Sequence, residues 1–345
     1  MSPVLQEVVI TLLKVVILTQ LLLGLFSFMT LAERRLLAFM QFRLGPNRTG
    51  PFGLFQPIAD GIKLFFKEEL MPDSATAWAF FAAPIVAVTA AFMAIATVPY
   101  GPEFTIPGTS FKVTPQLADL DVGILFIFAV TSLGVYSVVL AGWSANSKFS
   151  LLGGLRSSAQ MFSYELSLGM SFVGVIMLAG SFKISDIVAT QAGGFWNWNV
   201  MPWKQGLAAV VYFISAAAEV SRTPFDLPEG ETELVAGYHT EYSSMKFALM
   251  QMAEYINMIT VSVLTANLFL GGWNPGLPFL PTSGLWGLAY FAAKVLFVLF
   301  VFIWMRGTLP RFRYDQLMHF GWKVLIPLAA LNVLGTATLI AVFKW

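Results

Sequence analysis

Long apolar runs are the feature of this sequence that most limits what it can fold into. A helix that crosses the hydrocarbon core of a bilayer needs about 20 mostly apolar residues. Six runs reach that length, at residues 8–31, 78–98, 122–143, 247–270, 285–304 and 324–343. Two weaker runs cover 159–179, which contains Glu165, and 206–218, which is short. The pattern therefore predicts an all-α polytopic membrane protein with eight transmembrane helices in a single membrane domain, residues 1–345.

Composition excludes several other classes of protein. The chain is 57% hydrophobic with a mean hydropathy of +0.74, above the roughly 45–50% apolar content of soluble domains. Its net charge of +1 and the lack of a basic tract give no reason to expect nucleic acid as a partner. Without cysteine it cannot ligate an iron–sulfur cluster through thiolates, and His239 and His319 lack metal-ligand spacing. No metal or cofactor is therefore expected on this chain alone.

Positive charge predicts the orientation in the membrane. With eight spans, fourteen lysines and arginines fall on one side of the bilayer and four on the other, and the richer side is normally cytoplasmic. Both termini are then periplasmic. The first run is too long for a signal-peptide core and no cleavage site follows it, so it is expected to remain as a helix. The absence of a transit peptide favours a bacterial inner membrane over a mitochondrial one.

The first cytoplasmic connection contains a pattern typical of an amphipathic helix at residues 56–69. Apolar side chains recur there at helical spacing, namely Ile58, Ile62, Phe65 and Phe66. Asp60 and Lys63 take the other side. Such a helix is expected to lie in the membrane interface rather than to span the bilayer.

Acidic residues are concentrated in a second cytoplasmic loop, residues 219–247. Its carboxylates are Glu219, Asp226, Glu229, Glu231, Glu233 and Glu241. Two carboxylates about 6 Å apart repel by roughly 2.8 kcal/mol at an effective dielectric of 20, but by only about 0.7 kcal/mol in water. If partly buried, the loop could therefore bind protons near neutral pH. The alternative is a solvated acidic loop with no such role.

Charged residues also occur within the apolar runs. Glu165, Glu254 and Lys294 lie inside spans and Glu219 lies at the edge of one. A charge at the bilayer centre costs about 2.5–3.5 kcal/mol, so such residues commonly mark ion or proton paths. The alternative is a structural pair between Lys294 and a carboxylate. One lysine cannot neutralise three glutamates, which predicts that at least one of them is protonated or reaches water.

Several stretches resemble a single family of membrane proteins. They are Glu33-Arg34-Arg35 with Gln41, and residues 45–68, 142–165, 218–242 and 253–255. The run that begins Arg-Thr-Pro-Phe-Asp-Leu at Arg222 is the most specific of them. On these residues the chain is identified as a member of the NuoH family, the quinone-site membrane subunit of respiratory complex I, the proton-pumping NADH:quinone oxidoreductase. The resemblance covers nearly the whole chain.

The resemblance implies a substrate, partners and site residues. Quinone is the substrate, while FMN and the iron–sulfur clusters belong to partner subunits. The partners are the peripheral-arm subunits of the quinone module, the antiporter-like membrane subunits and membrane lipids. The residues implied at the quinone chamber are Glu33, Arg34, Arg43, Asp60, Lys63, Arg222, Phe225 and Asp226. Those implied in an acidic chain that couples quinone reduction to proton translocation are Glu165, Glu219, Glu229, Glu231, Glu233, Glu241 and Glu254.

The third span departs from the pattern of some family members. They have a further glutamate there, whereas residues 122–143 contain no acidic residue. If a carboxylate is needed at that depth, another helix or a water molecule must supply its function.

Two other classes of function stay open on the residues themselves. A stand-alone proton or cation transporter would also use glutamates within spans, but it gives no reason for the interfacial helix, and it predicts transport by the purified chain. A membrane anchor of a related hydrogenase-type complex would be distinguished by its soluble partners and its independence of quinone. The match through the interfacial helix and the acidic loop favours complex I.

Overall fold

The computed structural model describes residues 3–105, 112–227, 235–281 and 284–343, and this part of the chain is almost entirely helical. Its helices are α1 (Pro3–Met40), α2 (Gln56–Phe66), α3 (Ala77–Ile95), α4 (Gly123–Ser144), α5 (Lys148–Ala179), α6 (Ile184–Thr190), α7 (Gly206–Glu219), α8 (Ser244–Phe269), α9 (Leu285–Thr308), α10 (Tyr314–Phe320) and α11 (Ile326–Phe343). A π-helical segment, Gly321–Leu325, joins α10 to α11. Two short strands, β1 (Phe104–Thr105) and β2 (Lys112–Val113), pair antiparallel. The predicted helical membrane class is confirmed.

The number of long spans differs from the prediction by one. Seven segments of the described chain are long and apolar enough to cross a membrane, at Val8–Met40, Ala77–Ile95, Gly123–Ser144, Lys148–Ala179, Ser244–Phe269, Leu285–Thr308 and Tyr314–Val342. α7 is apolar but has only 14 residues, which rise about 21 Å at 1.5 Å each. The hydrocarbon core is roughly 30 Å thick. The fifth of the eight predicted spans is therefore a short helix.

Small residues bring the central helices close together. The face of α3 in the bundle consists largely of buried alanines, namely Ala79, Ala83, Ala87, Ala90, Ala91 and Ala94. α4 and α5 approach at two glycines, where a Cβ on Gly154 would lie 3.0 Å from the Cα of Gly142. α5 and α7 are joined by a hydrogen bond of 2.7 Å between the hydroxyls of Ser167 and Ser215. Such contacts are typical of helix packing within membranes, where small side chains let backbones approach.

Buried amide side chains gather at one end of the bundle, which we call the amide end. The Gln191 side chain donates to the Asn267 carbonyl at 2.9 Å, and the Asn199 side chain donates to the Leu268 carbonyl at 2.8 Å. Asn267 itself donates to the Pro99 carbonyl. The loops after α3 and α6 are thereby fixed to the last turn of α8, so unpaired backbone groups of these loops are satisfied inside the protein.

Lys294 belongs to this amide end. Its ammonium donates to the carbonyls of Leu270, Gly272 and Asn274 at 2.6, 2.9 and 2.5 Å, and it lies 4.3 Å from the Trp198 ring centroid. The alternative prediction, that Lys294 pairs with a carboxylate, is therefore wrong. The lysine binds the backbone that follows α8, where a helix leaves its last carbonyls without partners.

Lys294→Met is expected to destabilise the protein without changing its affinity for substrate. Three carbonyls would lose a charged donor, and such a loss costs about 2 kcal/mol or more. We expect a lower midpoint of thermal inactivation in detergent and unchanged substrate affinity in the protein that survives. Lys14→Met is the matched control, because the partners of Lys14 among the described residues are the exposed Thr114 hydroxyl and the Gln116 carbonyl, neither of which caps a helix. An unchanged midpoint for Lys294→Met would contradict the capping role.

α2 lies at the opposite end of the bundle against α1 and α8. It is joined to the start of α8 by a hydrogen bond of 3.0 Å from the Ser244 hydroxyl to the Leu64 carbonyl. Its apolar residues Ile58, Ile62, Phe65 and Phe66 are all exposed, Phe65 at 67%. The helix ends at Phe66, three residues before the predicted boundary, because Lys67 has an extended backbone.

Candidate functional site

A cavity of about 540 Å³ lies between α1, α2, α8 and the end of α9. Much of its wall is apolar and includes Phe26, Leu37, Leu64, Phe65, Leu249 and Met252. Polar side chains line the rest, namely Ser27, Thr30, Glu33, Arg34, Asp60, Gln251, Tyr255 and Arg306. Small-molecule sites typically occupy about 300–1,000 Å³ and combine an apolar wall with a few polar groups. The cavity, which we call the chamber, therefore suits a ligand with a polar head and an apolar tail.

Glu33 is the charged centre of the chamber. Its side chain is only 6% exposed and pairs with Arg306 and with Arg222, the latter at 3.4 Å. The Tyr255 hydroxyl donates to the other carboxylate oxygen at 2.6 Å, and the Arg222 guanidinium stacks 4.4 Å from the Tyr255 ring centroid. A buried charge persists only where opposite charges and hydrogen bonds compensate its lost hydration. This network keeps positive charge at the chamber wall.

A second ion pair joins α2 to α1 beside the chamber. The Arg34 guanidinium contacts the Asp60 carboxylate at 2.5 Å, and half of the Arg34 side chain is exposed. Gln56 also donates to Asp60, at 3.1 Å. Arg34 therefore does more than extend toward the membrane surface, because it holds α2 along one side of the chamber.

The loop after α7 carries the predicted residues Arg222, Phe225 and Asp226. Phe225 is buried between Tyr164 and Phe312, with ring centroids 5.6 Å away on either side. It does not line the chamber. Its carbonyl accepts a hydrogen bond from the Gln160 side chain at 2.8 Å. Phe225 thus anchors the loop on α5, so that Arg222 can reach Glu33.

Asp226 lies in this loop outside the membrane spans. Burial raises the pKa of its carboxyl, while the positive charges of Arg311 and Arg306 oppose that rise. A raised pKa in the folded protein means that ionisation of this group disfavours the folded state. Asp226 can therefore take up a proton more readily than an ordinary aspartate.

Asp226→Asn is expected to change the pH dependence of stability. With a raised folded pKa, the native protein loses stability as the pH rises from the unfolded pKa through the folded one. The asparagine variant cannot ionise, so its thermal midpoint should match the native value at low pH, exceed it as the pH rises, and then keep a constant gap. Asp73→Asn, which removes an exposed carboxylate, is the control. A gap that shrinks with rising pH would contradict the prediction.

Glu254 projects from α8 toward a turn at Gly237–His239, in the loop before α8. One of its oxygens accepts from the Tyr238 hydroxyl at 3.0 Å and lies 3.4 Å from the His239 Nε2. The turn is held close to α5, where a Cβ on Gly153 would lie 2.7 Å from the Gly237 backbone. Glu254 is therefore paired within the protein, as expected for a carboxylate within a span.

Glu219 and Glu165 continue the set of carboxylates away from the chamber. Glu219 ends α7 and lines a cavity of about 50 Å³ together with Glu254. Glu165 lies on α5, is partly exposed, and accepts a hydrogen bond from the Ser132 hydroxyl. Glu254 and Glu219 thus share a cavity, and Glu165 interacts electrostatically with Glu219.

The other predicted residues are less closely placed. Arg43 and Lys63 are exposed and do not line the chamber. Glu241 is partly buried in the loop before α8 and lines neither the chamber nor the cavity beside Glu219. Glu229, Glu231 and Glu233 lie outside the described residues.

Three residues of the site are not predicted by the sequence. From its position in the sequence, Arg306 is predicted only to lie on the side of the membrane that has more lysines and arginines. In the structure it pairs with Glu33, which lies 273 positions earlier in the chain. Tyr255 lies in a stretch that resembles the family, but the resemblance implies no role for this residue. For His239, the sequence shows only that its spacing from His319 does not suit a metal site. The one available signal is position, because Arg306 ends an apolar run as Arg34 does.

The fold and the site define a helical, polytopic membrane protein in which an amphiphilic chamber adjoins a series of partly buried carboxylates. A family model described as NADH dehydrogenase matches residues 13–337. The chain is 51% identical to an H-type NADH-quinone oxidoreductase subunit of Koribacter versatilis, over 96% of this chain and 97% of the relative. An H-type subunit of the same enzyme from Geobacter sulfurreducens is also 51% identical, over 95% and 94%. The H-type subunit from Deinococcus radiodurans is 49% identical, over 98% and 84%. The chain belongs to this family of NADH-quinone oxidoreductase subunits.

Proposed function

We propose that this chain forms part of the quinone chamber of a proton-translocating NADH:quinone oxidoreductase and couples quinone reduction to proton movement through its glutamates. The observation that carries the proposal is a pair of neighbouring residues on α8. Tyr255 bonds to Glu33 in the chamber wall, while Glu254 bonds to Tyr238 and lines the cavity beside Glu219. One turn of helix therefore contacts both the chamber and the carboxylates.

The chamber fits the chemistry of a quinone. The head group needs hydrogen-bond donors for its carbonyl oxygens, and the guanidinium groups of Arg306 and Arg34 supply N–H donors on the wall. The apolar tail can lie along α1 and α2 toward the membrane face formed by Phe65 and its neighbours. Electrons come from a partner subunit, because a chain without cysteine has no thiolate ligands for an iron–sulfur cluster. The positive wall favours the negative charge that develops on the quinone oxygens during reduction.

Coupling follows from the same network. A reduced quinone carries negative charge until protons reach its oxygens, and that charge competes with Glu33 for Arg222 and Arg306. Asp226, which interacts electrostatically with both arginines and with Glu254, is placed to change its proton occupancy in response. Glu254, Glu219 and Glu165 then adjust in turn. Glu229, Glu231, Glu233 and Glu241 belong to the same proposed chain at its cytoplasmic end.

The short helix α7 supplies the eighth crossing in this proposal. Just before it, the Val200 amide donates to the Phe269 carbonyl at the amide end. Just after it, Arg222 reaches Glu33 and Tyr255 at the chamber end. The chain therefore changes ends along α7 even though the helix is short. A local thinning of the bilayer or a neighbouring subunit would make up the missing length.

An even number of crossings leaves both termini on one side. Lys14 in α1 bonds to Thr114 and Gln116 in the loop that Asn267 anchors, and Thr336 in α11 bonds to Gln205 before α7. In this proposal the first half of α1 and the second half of α11 lie toward the amide end. With fourteen basic residues toward the other side, we place the termini in the periplasm of a bacterial inner membrane, with α2 in the cytoplasmic interface.

The proposal is tested by isolating the tagged chain from its native membrane in mild detergent. We expect a large particle that contains flavin and iron and reduces quinone with NADH in an inhibitor-sensitive reaction. The peripheral-arm and antiporter-like subunits should co-purify. A small particle without flavin or iron that moves cations in liposomes would contradict the proposal and favour a stand-alone transporter. Soluble hydrogenase subunits in the particle, with no quinone dependence, would favour the anchor of a hydrogenase-type complex.

A further inference from the structure

Two small cavities meet at Glu219 inside the bundle. One, of about 40 Å³, lies on the side of Phe172 and Tyr212. The other, of about 50 Å³, lies on the side of Glu254. They share three lining residues, Thr131 of α4, Glu219 of α7 and Asn257 of α8. These three polar side chains therefore form the common wall between the two spaces.

Both cavities have the size and polarity to hold water. One water molecule needs about 10–15 Å³ by this measure and two to four polar partners, so each cavity has room for about three. Ser137, Tyr238 and Glu254 add polar groups to the second cavity. Asn257 lies three residues after Glu254 on α8, and residues at that spacing share one face of a helix. Its amide is thus placed to bond water between Glu254 and Glu219.

α4 contributes two consecutive hydroxyls at this depth. Thr131 faces the cavities and donates to the Phe128 carbonyl at 3.0 Å. The next residue, Ser132, lies within hydrogen-bond distance of two acceptors, the Phe128 carbonyl at 2.8 Å and the Glu165 carboxylate. A hydroxyl has one proton to donate. Ser132 therefore donates to Glu165 when that carboxylate is ionised, and to Phe128 when Glu165 is protonated and acts as the donor instead.

We propose that Thr131, Ser132 and Asn257 carry the proton link between Glu254, Glu219 and Glu165. In this step the O–H bond of protonated Glu219 breaks and its proton passes to cavity water held by Thr131 and Asn257. An O–H bond of this water then breaks to release one proton, an O–H bond forms on Glu165, and Ser132 turns from Glu165 to Phe128. The inference rests on the proposed coupling function and adds to it a helix that has no acidic residue. The three are positioning residues, because they act through water and through Glu165.

The test uses the intact complex in vesicles, with proton translocation measured per NADH oxidised. Thr131→Val and Asn257→Leu remove the polar groups at nearly constant volume. Each is expected to lower proton translocation by about tenfold, less than the roughly 100-fold typical of a lost proton-transfer group, because both residues act through water. The quinone KM should stay unchanged. Thr131→Ser keeps the hydroxyl and should restore the native value. Thr89→Val is the matched control, because Thr89 is an exposed α3 threonine whose hydroxyl bonds only to its own helix.

A second readout does not depend on turnover. Redox-induced infrared difference spectra should contain a protonated carboxyl band that Glu165→Gln removes, and Ser132→Ala should shift this band by removing the hydroxyl partner. An unshifted band would overturn the role of Ser132.

Glu219→Gln separates failure of this inference from failure of the proposed function. If Glu219→Gln abolishes coupling while Thr131→Val and Asn257→Leu translocate normally, the polar link is wrong and the proposed function stands. If Glu219→Gln is also without effect, the proposed coupling through Glu219 is wrong and the link is wrong with it.

Discussion

Glu33→Gln is expected to give the largest loss of stability and quinone reductase activity among single substitutions at the chamber. The carboxylate pairs with Arg222 and Arg306 and accepts from Tyr255. Removing one member of a buried ion pair costs about 3–5 kcal/mol, because the partner charges stay buried without compensation. We expect a lower thermal midpoint of the isolated complex and a rise in quinone KM, since both arginines lose the carboxylate that holds them at the chamber.

The control for Glu33→Gln is Glu103→Gln, which neutralises an exposed glutamate in the loop after α3. It should leave both quantities at the native value. Assembly of Glu33→Gln at native abundance with a native thermal midpoint would contradict the description of Glu33 as the charged centre of the chamber.

Glu254→Gln is expected to disconnect the chamber from the inner carboxylates. Glutamine can still accept from Tyr238, so the turn before α8 keeps a hydrogen bond, but it cannot bind and release a proton. Loss of a proton-transfer group typically costs about 100-fold in rate, and we expect that scale of reduction in proton translocation in vesicles. Quinone affinity should change little, because Tyr255 still bonds to Glu33.

The control for Glu254→Gln is Glu68→Gln, because Glu68 is an exposed glutamate in the segment just after α2. Substitution of Glu219 and Glu231 by glutamine extends the test along the proposed chain. If all three substitutions left the quinone reductase rate and the proton stoichiometry at native values, the coupling role of the glutamates would be wrong.

The sequence predicts most of the helices because bilayer thickness imposes a length that can be counted. It also places Glu254 inside a span and predicts an amphipathic helix in the connection after the first span. The short run at residues 206–218 corresponds to α7, but the sequence does not predict that residues 200–205 form turns at the amide end instead of lengthening that helix. Val200 and Asn199 are drawn there by the carbonyls at the end of α8, an interaction that depends on tertiary structure.

The partners of buried charges are equally difficult to predict from sequence. Lys294 could have paired with any carboxylate in a span, yet it binds three backbone carbonyls. Glu33 could have bound a head group through the neighbouring arginines, yet its partners come from α9 and from the loop after α7. Such pairings depend on which helix ends meet. Composition and residue spacing do not show which helix ends meet.

The polar groups of α4 illustrate a third limit. Threonine and serine in an apolar run are ordinary, because their hydroxyls bond to the backbone of their own helix. Only the cavities at Glu219 and the contact with Glu165 distinguish Thr131 and Ser132 from Thr89. The missing acidic residue of the third span is therefore compensated, in our proposal, by hydroxyls and water rather than by another carboxylate.

Photoaffinity labelling of the intact complex, with a quinone that carries a photoreactive tail, tests the assignment of the chamber to quinone most directly. We expect labelled peptides from α1, α2 and α8, among them those that contain Phe65 and Met252 of the chamber wall. Excess natural quinone should abolish the labelling, and Glu33→Gln should weaken it. Labelling confined to other subunits, or labelling of this chain that natural quinone does not displace, would contradict the assignment.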